Sequence, residues 1–181
     1  MCADFTERVH ALYKSGVSAI LREKDLTETE YETLAESLIR VCPDIILHTH
    51  INAAKWLGSR KIHLPLRLVR GDLKPYFETV GVSVHSPDEA IAAQKGGADY
   101  VIAGHIFETD CKRGLAPRGI DFLKDTVRAV SIPVYAIGGI TPEYIAHVRE
   151  AGAAGACVMS GFMRCENTEK YLEKLLKKQW L

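Results

Sequence analysis

KGGADYVIAGHIF, residues 95–107, contains the junction on which the fold turns. A polar, helix-like segment stops at two glycines, and three residues after the second an apolar run begins. Glycine at the position just past a helix relieves a left-handed backbone, so the stretch predicts a helix end followed at once by a buried strand. The same grammar recurs in KSGVSAIL (14–21) and EAGAAGACVMSG (150–161). Three echoes of one α-to-β junction point to a repeating unit.

Further apolar runs complete the series: DIILH (44–48), IHLPL (62–66), VGVSVH (80–85) and VYAIGGI (134–140). Helical candidates lie between them at 27–41, 86–97 and 141–152. Ser86-Pro87 and Thr141-Pro142 read as helix starts, a hydroxyl cap followed by a proline whose missing N–H costs nothing there. The strands show no clean alternation, as expected when helices cover a parallel sheet. The fold class is therefore α/β, a TIM-type (β/α) barrel in a single domain spanning residues 1–181. Seven strands are visible where such a barrel has eight, and a helix-like segment (4–16) stands where the first strand is expected. Either the start is misplaced, or the barrel is open, or a partner completes it.

Composition narrows the function. Lys plus Arg and Asp plus Glu number 23 each. A balanced charge without a basic face gives no reason to expect nucleic acid. No apolar run approaches a membrane span. Five scattered cysteines without a CxxC pair indicate a reducing compartment, and the protein is expected to be cytoplasmic. The basic, amphipathic tail KYLEKLLKKQW (170–180) reads as a final barrel helix with a solvated lysine face. Oligomeric state is open, a homo-oligomer included.

Barrel enzymes work at the C-terminal ends of their strands. Those ends carry Arg22 and Lys24, His48-Thr49-His50, Ser83, Gly104-His105, Gly138-Gly139 and Met159-Ser160-Gly161. Two consecutive glycine-bearing ends late in the chain suit a phosphate held by backbone N–H groups. Arg22 and Lys24 project to one side of an extended segment and suit an anionic group on a ligand. His105, at a strand end before a polar loop, can exchange a proton near neutrality. His48 and His50 share a face, but no carboxylate follows at ligand spacing, so no metal site is assigned.

On ILREKD (20–25), GVSVHS (81–86), GADYVIAGHIFETDCKRGL (97–115) and IPVYAIGGI (132–140), the chain resembles the thiamine phosphate synthase superfamily. The resemblance is closer to its TenI-type thiazole tautomerase branch. His105 stands where the synthase branch has a proline; Thr109 and Lys112 match that branch, and Cys111 replaces a threonine. His48-Thr49-His50 and His63-Leu64-Pro65-Leu66 stand where the synthase branch places segments bearing or preceding its magnesium-holding aspartates. The resemblance implies an isomerase of thiamine biosynthesis acting on a carboxylated thiazole ethyl phosphate, without cofactor. In that reading His105 is the catalytic proton shuttle, and Ser83, Gly138, Gly139, Met159, Ser160 and Gly161 contact the substrate, the last four through its phosphate. Thr109 and Cys111 line the ring pocket, while Arg22, Lys24 and Lys112 supply positive charge. The alternatives are the pyrophosphate-releasing synthase itself and a non-catalytic thiazole-phosphate-binding regulator.

Overall fold

A computed structural model describes residues 4–112 and 114–177. Seven parallel strands form one sheet in chain order: β1 (Ile20–Leu21), β2 (Ile46–His48), β3 (Lys61–Pro65), β4 (Thr79–Val84), β5 (Tyr100–Gly104), β6 (Val134–Ile137) and β7 (Gly155–Cys157). Helices α2 (Glu28–Ile39), α3 (Ile51–Trp56), α4 (Pro87–Lys95), α5 (Gly119–Ala129) and α6 (Ile145–Glu150) lie between strands. α1 (Phe5–Lys14) precedes them; α7 (Ser160–Arg164) and α8 (Thr168–Lys177) follow. This is the expected (β/α) barrel, with no strand joining β7 to β1 among the described residues.

Alternation along the strands, obscured in sequence, governs the interior. One parity faces the helices. Leu47, Ile62, Leu64 and Val80 pack with Tyr31, Ala35, Leu38 and Ala54 of α2 and α3, while Val82, Val101, Ala103 and Ala136 pack with Ala90, Leu123 and Val148. Transfer of these apolar side chains from water supplies the main driving force for folding. The opposite parity carries His48, His63, Tyr100, Tyr135 and Cys157. Both parities are buried in places, which is why the strands read as unbroken apolar runs.

The three echoing junctions turn at Gly16 (φ 74°), Gly97 (φ 91°) and Gly152 (φ 85°), as their sequence predicts. Ser86 caps α4 by accepting from the N–H of Glu89 at 3.0 Å, with Pro87 as the first helical residue. Thr141-Pro142 does not cap a helix. Thr141 Oγ1 donates to the Glu143 carboxylate at 2.6 Å, and α6 begins at Ile145 after Tyr144. The hydroxyl is spent on a local carboxylate and the backbone forms a turn instead. The expected final helix is α8, and residues 178–180 of the tail segment lie outside the described residues.

Where β1 and β7 each lack a second strand neighbour among the described residues, α1 is tied to the segment around α7. Arg8 of α1 donates from Nη1 to the carbonyls of Phe162 (2.8 Å) and Cys165 (2.7 Å), and its Nε pairs with Asp4 at 2.8 Å. A charged donor shared by two carbonyls holds the two termini of the barrel together.

Candidate functional site

The C-terminal strand ends converge on one mouth. On the β1 side, Arg22 and Lys24 are exposed, and among the described residues neither forms a salt bridge. Their charge reaches His48, which burial, then Arg22, Lys24 and His50, push down to about 4. Two unspent cations over a neutral imidazole make this side of the mouth receptive to an anion.

His48, Thr49 and His50 close β2. Thr49 adopts a left-handed backbone (φ 68°), unusual for a β-branched residue, and brings its Oγ1 within 2.6 Å of His48 Nδ1. His50 stacks on Tyr31 with ring centroids 4.0 Å apart. His63 of β3 lies beneath, stacked at 5.6 Å on His48, with both nitrogens engaged: Nδ1 is 3.1 Å from Tyr100 Oη and Nε2 is 2.8 Å from Ser83 Oγ. Burial, His48 and Arg22 push His63 down to about 3. Tyr100 continues the interior through an edge contact to Tyr135 at 5.5 Å. Its phenol is raised above its ordinary range, chiefly by burial, and stays protonated.

Magnesium held by aspartates, as in the synthase branch the sequence resembles, does not fit this donor set. Imidazoles, hydroxyls and aliphatic side chains occupy the β2 and β3 ends, the His63 nitrogens are spent, and the described residues contain no group of three or more potential metal ligands. Magnesium held in that way needs carboxylate oxygens that these positions lack.

On the opposite side, β5 leads into Gly104 and His105, joined by a cis peptide. His105 is 5% exposed. Its Nε2 lies 3.3 Å from the carbonyl oxygen of Leu115, and Nδ1 is buried without a hydrogen-bond partner among the described residues. The imidazole sits under the loop that follows it rather than at the open mouth. Arg118 N and Gly119 N return to the carbonyls of His105 and Ile106 at 3.0 Å, tying that loop at its base. Within it, Thr109 is half-buried and Cys111 exposed; Lys112 N donates to Thr109 O at 3.0 Å. Arg164 of α7 reaches Asp110 at 3.3 Å, fastening the loop to the β7 side.

Gly138 (φ 101°) and Gly139 (φ 65°) close β6. A Cβ on Gly138 would collide with His105, and one on Gly139 would collide with the backbone at Phe107 and Glu108. Phe107 N donates to Gly138 O at 3.0 Å. These glycines thus allow two backbones to cross closely, a requirement the sequence did not separate from anion binding. Met159 is 54% exposed and precedes α7, whose first residues are Ser160 and Gly161; a Cβ on Gly161 would meet the Tyr171 hydroxyl.

The expected residues therefore form two flanks of one mouth: Arg22, Lys24 and Ser83 on one, and the loop of Thr109, Cys111 and Lys112 with the β6 and β7 ends on the other. Sequence reasoning passed over Tyr100 and Gly81, which belong to the interior beneath Ser83. A Cβ on Gly81 would collide with the Tyr100 ring. The signal was the alternate spacing Gly81-x-Ser83 facing Tyr100 across paired strands, with Gly81 aligned to Tyr100. No helix among the described residues is long and apolar enough to cross a membrane.

Comparison with known proteins agrees with this fold. The family described as thiamine monophosphate synthase matches residues 1–162. Thiamine-phosphate synthase 2 of Streptococcus pneumoniae serotype 4 is 32% identical over 184 residues, covering 96% of this chain and 87% of the relative. Thiamine-phosphate synthase of Pyrococcus abyssi is 34% identical over 176 residues, covering 92% and 84%. The solved thiamine phosphate pyrophosphorylase of Pyrococcus furiosus superposes with a TM-score of 0.83 at 27% identity, covering 96% of this chain and 88% of that one. The isomerase expectation is corrected by these relatives, which are named for synthase activity, a transferase reaction. The shuttle role given to His105 was part of that expectation, and the ring itself is buried beside the carbonyl of Leu115.

Proposed function

The chain belongs to the thiamine monophosphate synthase family, and from that premise we infer that it is a transferase of thiamine biosynthesis, joining a thiazole phosphate to a pyrimidine diphosphate with release of pyrophosphate. One observation carries the reading: relatives named thiamine-phosphate synthase align along 92–96% of this chain at 32–34% identity.

The two flanks of the mouth suit two phosphorylated substrates. The thiazole phosphate is assigned to the β6 and β7 ends, where Gly138, Gly139, Met159, Ser160 and Gly161 lie just past two consecutive strands. The diphosphate is assigned to Arg22 and Lys24, with Lys112 approaching from the loop. Thr109 and Cys111 border the space for the rings. In the transfer, a bond forms between the two heterocycles while the carbon–oxygen bond to the diphosphate breaks, its electron pair leaving with pyrophosphate. Fixed cations stabilise charge on the departing group, and anchoring both phosphates aligns the rings. His105, held against Leu115, is assigned to shaping the loop. No step here runs through a metal.

Support for a second reading, a thiazole-phosphate-binding protein without turnover, comes from the same β2 and β3 ends, whose donor set does not suit magnesium. Mixing both compounds and following pyrophosphate separates the two. Release that needs both partners supports the transferase; thiazole-phosphate binding without release supports the second reading.

A further inference from the structure

Tyr100, His63 and Ser83 form a chain that climbs the barrel interior. Tyr100 opens β5, His63 stands mid-way along β3, and Ser83 lies near the mouth end of β4. Gly81, two residues before Ser83, leaves the space that the Tyr100 ring fills. The links are 3.1 Å from Tyr100 Oη to His63 Nδ1 and 2.8 Å from His63 Nε2 to Ser83 Oγ.

Hydrogens can be assigned along this chain. A neutral imidazole carries one hydrogen, and the nitrogen that bears it is set by its neighbours. His63 is 2% exposed and is kept neutral by burial. Tyr100 keeps its phenolic hydrogen, and among the described residues the acceptor within reach of it is His63 Nδ1. The half-buried phenol, facing the barrel interior, gains by donating to that nitrogen. Nδ1 therefore accepts, leaving the hydrogen on Nε2, and Nε2–H donates to Ser83 Oγ. Ser83, already accepting from below, retains its own hydrogen.

We propose that Tyr100 and His63 are positioning residues that set the polarity of Ser83, making its hydroxyl a hydrogen-bond donor to a lone-pair acceptor, such as an unprotonated ring nitrogen, on the heterocycle bound at the mouth. The heterocycle's identity rests on the transferase reading; the polarity of the chain does not. Ser83 is bonded to His63, whose ring feels the charge of Arg22, so the ring it contacts is assigned to the pyrimidine. An N–H presented at that place would meet only the remaining lone pair of the Ser83 oxygen and leave the Ser83 hydrogen without an acceptor there.

The polarity is tested first without ligand. Long-range ¹H–¹⁵N spectra of the ¹⁵N-histidine-labelled protein should show His63 protonated on Nε2, with that preference lost in Tyr100→Phe. A wild-type spectrum with the hydrogen on Nδ1 overturns the proposal by itself. Calorimetry with the pyrimidine diphosphate then tests the consequence. Ser83→Ala should weaken its binding about 5- to 10-fold, and Tyr100→Phe about 3- to 5-fold, as for loss of one hydrogen bond. The double variant should be no weaker than Ser83→Ala, since Tyr100 acts through Ser83. Thiazole-phosphate affinity should hold in all three. Fully additive losses would overturn the proposed coupling. If the wild type binds the thiazole phosphate but not the pyrimidine diphosphate while His63 keeps its Nε2–H form, the transferase reading fails and the polarity stands.

Discussion

Acidification should destabilise the barrel well above the pH at which carboxylates titrate, and His63 should account for much of the loss. Its imidazole, free to protonate at about 6.5 in the unfolded chain, is pushed down to about 3 in the fold by burial, His48 and Arg22. The folded state therefore holds it neutral while the unfolded state gains a proton. Stability from this group is complete above about pH 6.5 and is lost as pH falls toward 3, at about 1.4 kcal/mol per pH unit. By about pH 5 the loss from His63 reaches about 2 kcal/mol, equivalent to about 4–8 °C in Tm for a domain of this size. His48 adds a loss of the same sign, reduced because its ring is more open to solvent. Urea unfolding at about pH 7.5 and about pH 5, read by circular dichroism, measures the difference. His63→Gln removes the titration and can keep a donor and an acceptor in place, so its stability should vary less with pH than the wild type's. Equal losses in wild type and variant would refute the assignment of neutral, buried His63.

Two other perturbations test the interior and the mouth. Gly81→Ala drives a methyl group into the Tyr100 ring and should cost about 1–3 kcal/mol by overpacking. With Tyr100→Val in the background the cost should fall, which denaturant midpoints of the four proteins would show. Arg22→Ala and Lys24→Ala should each raise KM for the pyrimidine diphosphate about tenfold, equivalent to about 1.4 kcal/mol. KM for the thiazole phosphate should stay unchanged, and the losses should shrink as salt is added.

The alternation of helix and strand was legible because each α-to-β junction needs a left-handed residue, and Gly16, Gly97 and Gly152 marked three of them. Ser86-Pro87 was legible for another local reason, a hydroxyl that caps the helix start before a proline. Thr141-Pro142 carried an identical signature, but Glu143 captured the hydroxyl, a competition two residues away that a cap motif does not encode. The mouth was located by counting strand ends. What the count could not supply was direction. His105 ends its strand as expected, yet its ring turns beneath the following loop toward the carbonyl of Leu115, and the Gly138 backbone lies against its Cβ. The Tyr100–His63–Ser83 chain joins three strands, and sequence alone gives no register among them. Reaction class had a different obstacle. A histidine in place of a proline and the missing aspartates pointed toward the isomerase branch, whereas likeness along the whole chain favours the synthases.

The most direct test of the central claim is mass spectrometry of the purified protein's products after incubation with the thiazole phosphate and the pyrimidine diphosphate, alone and together. The transferase account predicts the joined molecule and pyrophosphate in equal amounts, and only when both compounds are present. Recovery of both compounds unchanged from a folded protein that binds the thiazole phosphate would contradict it.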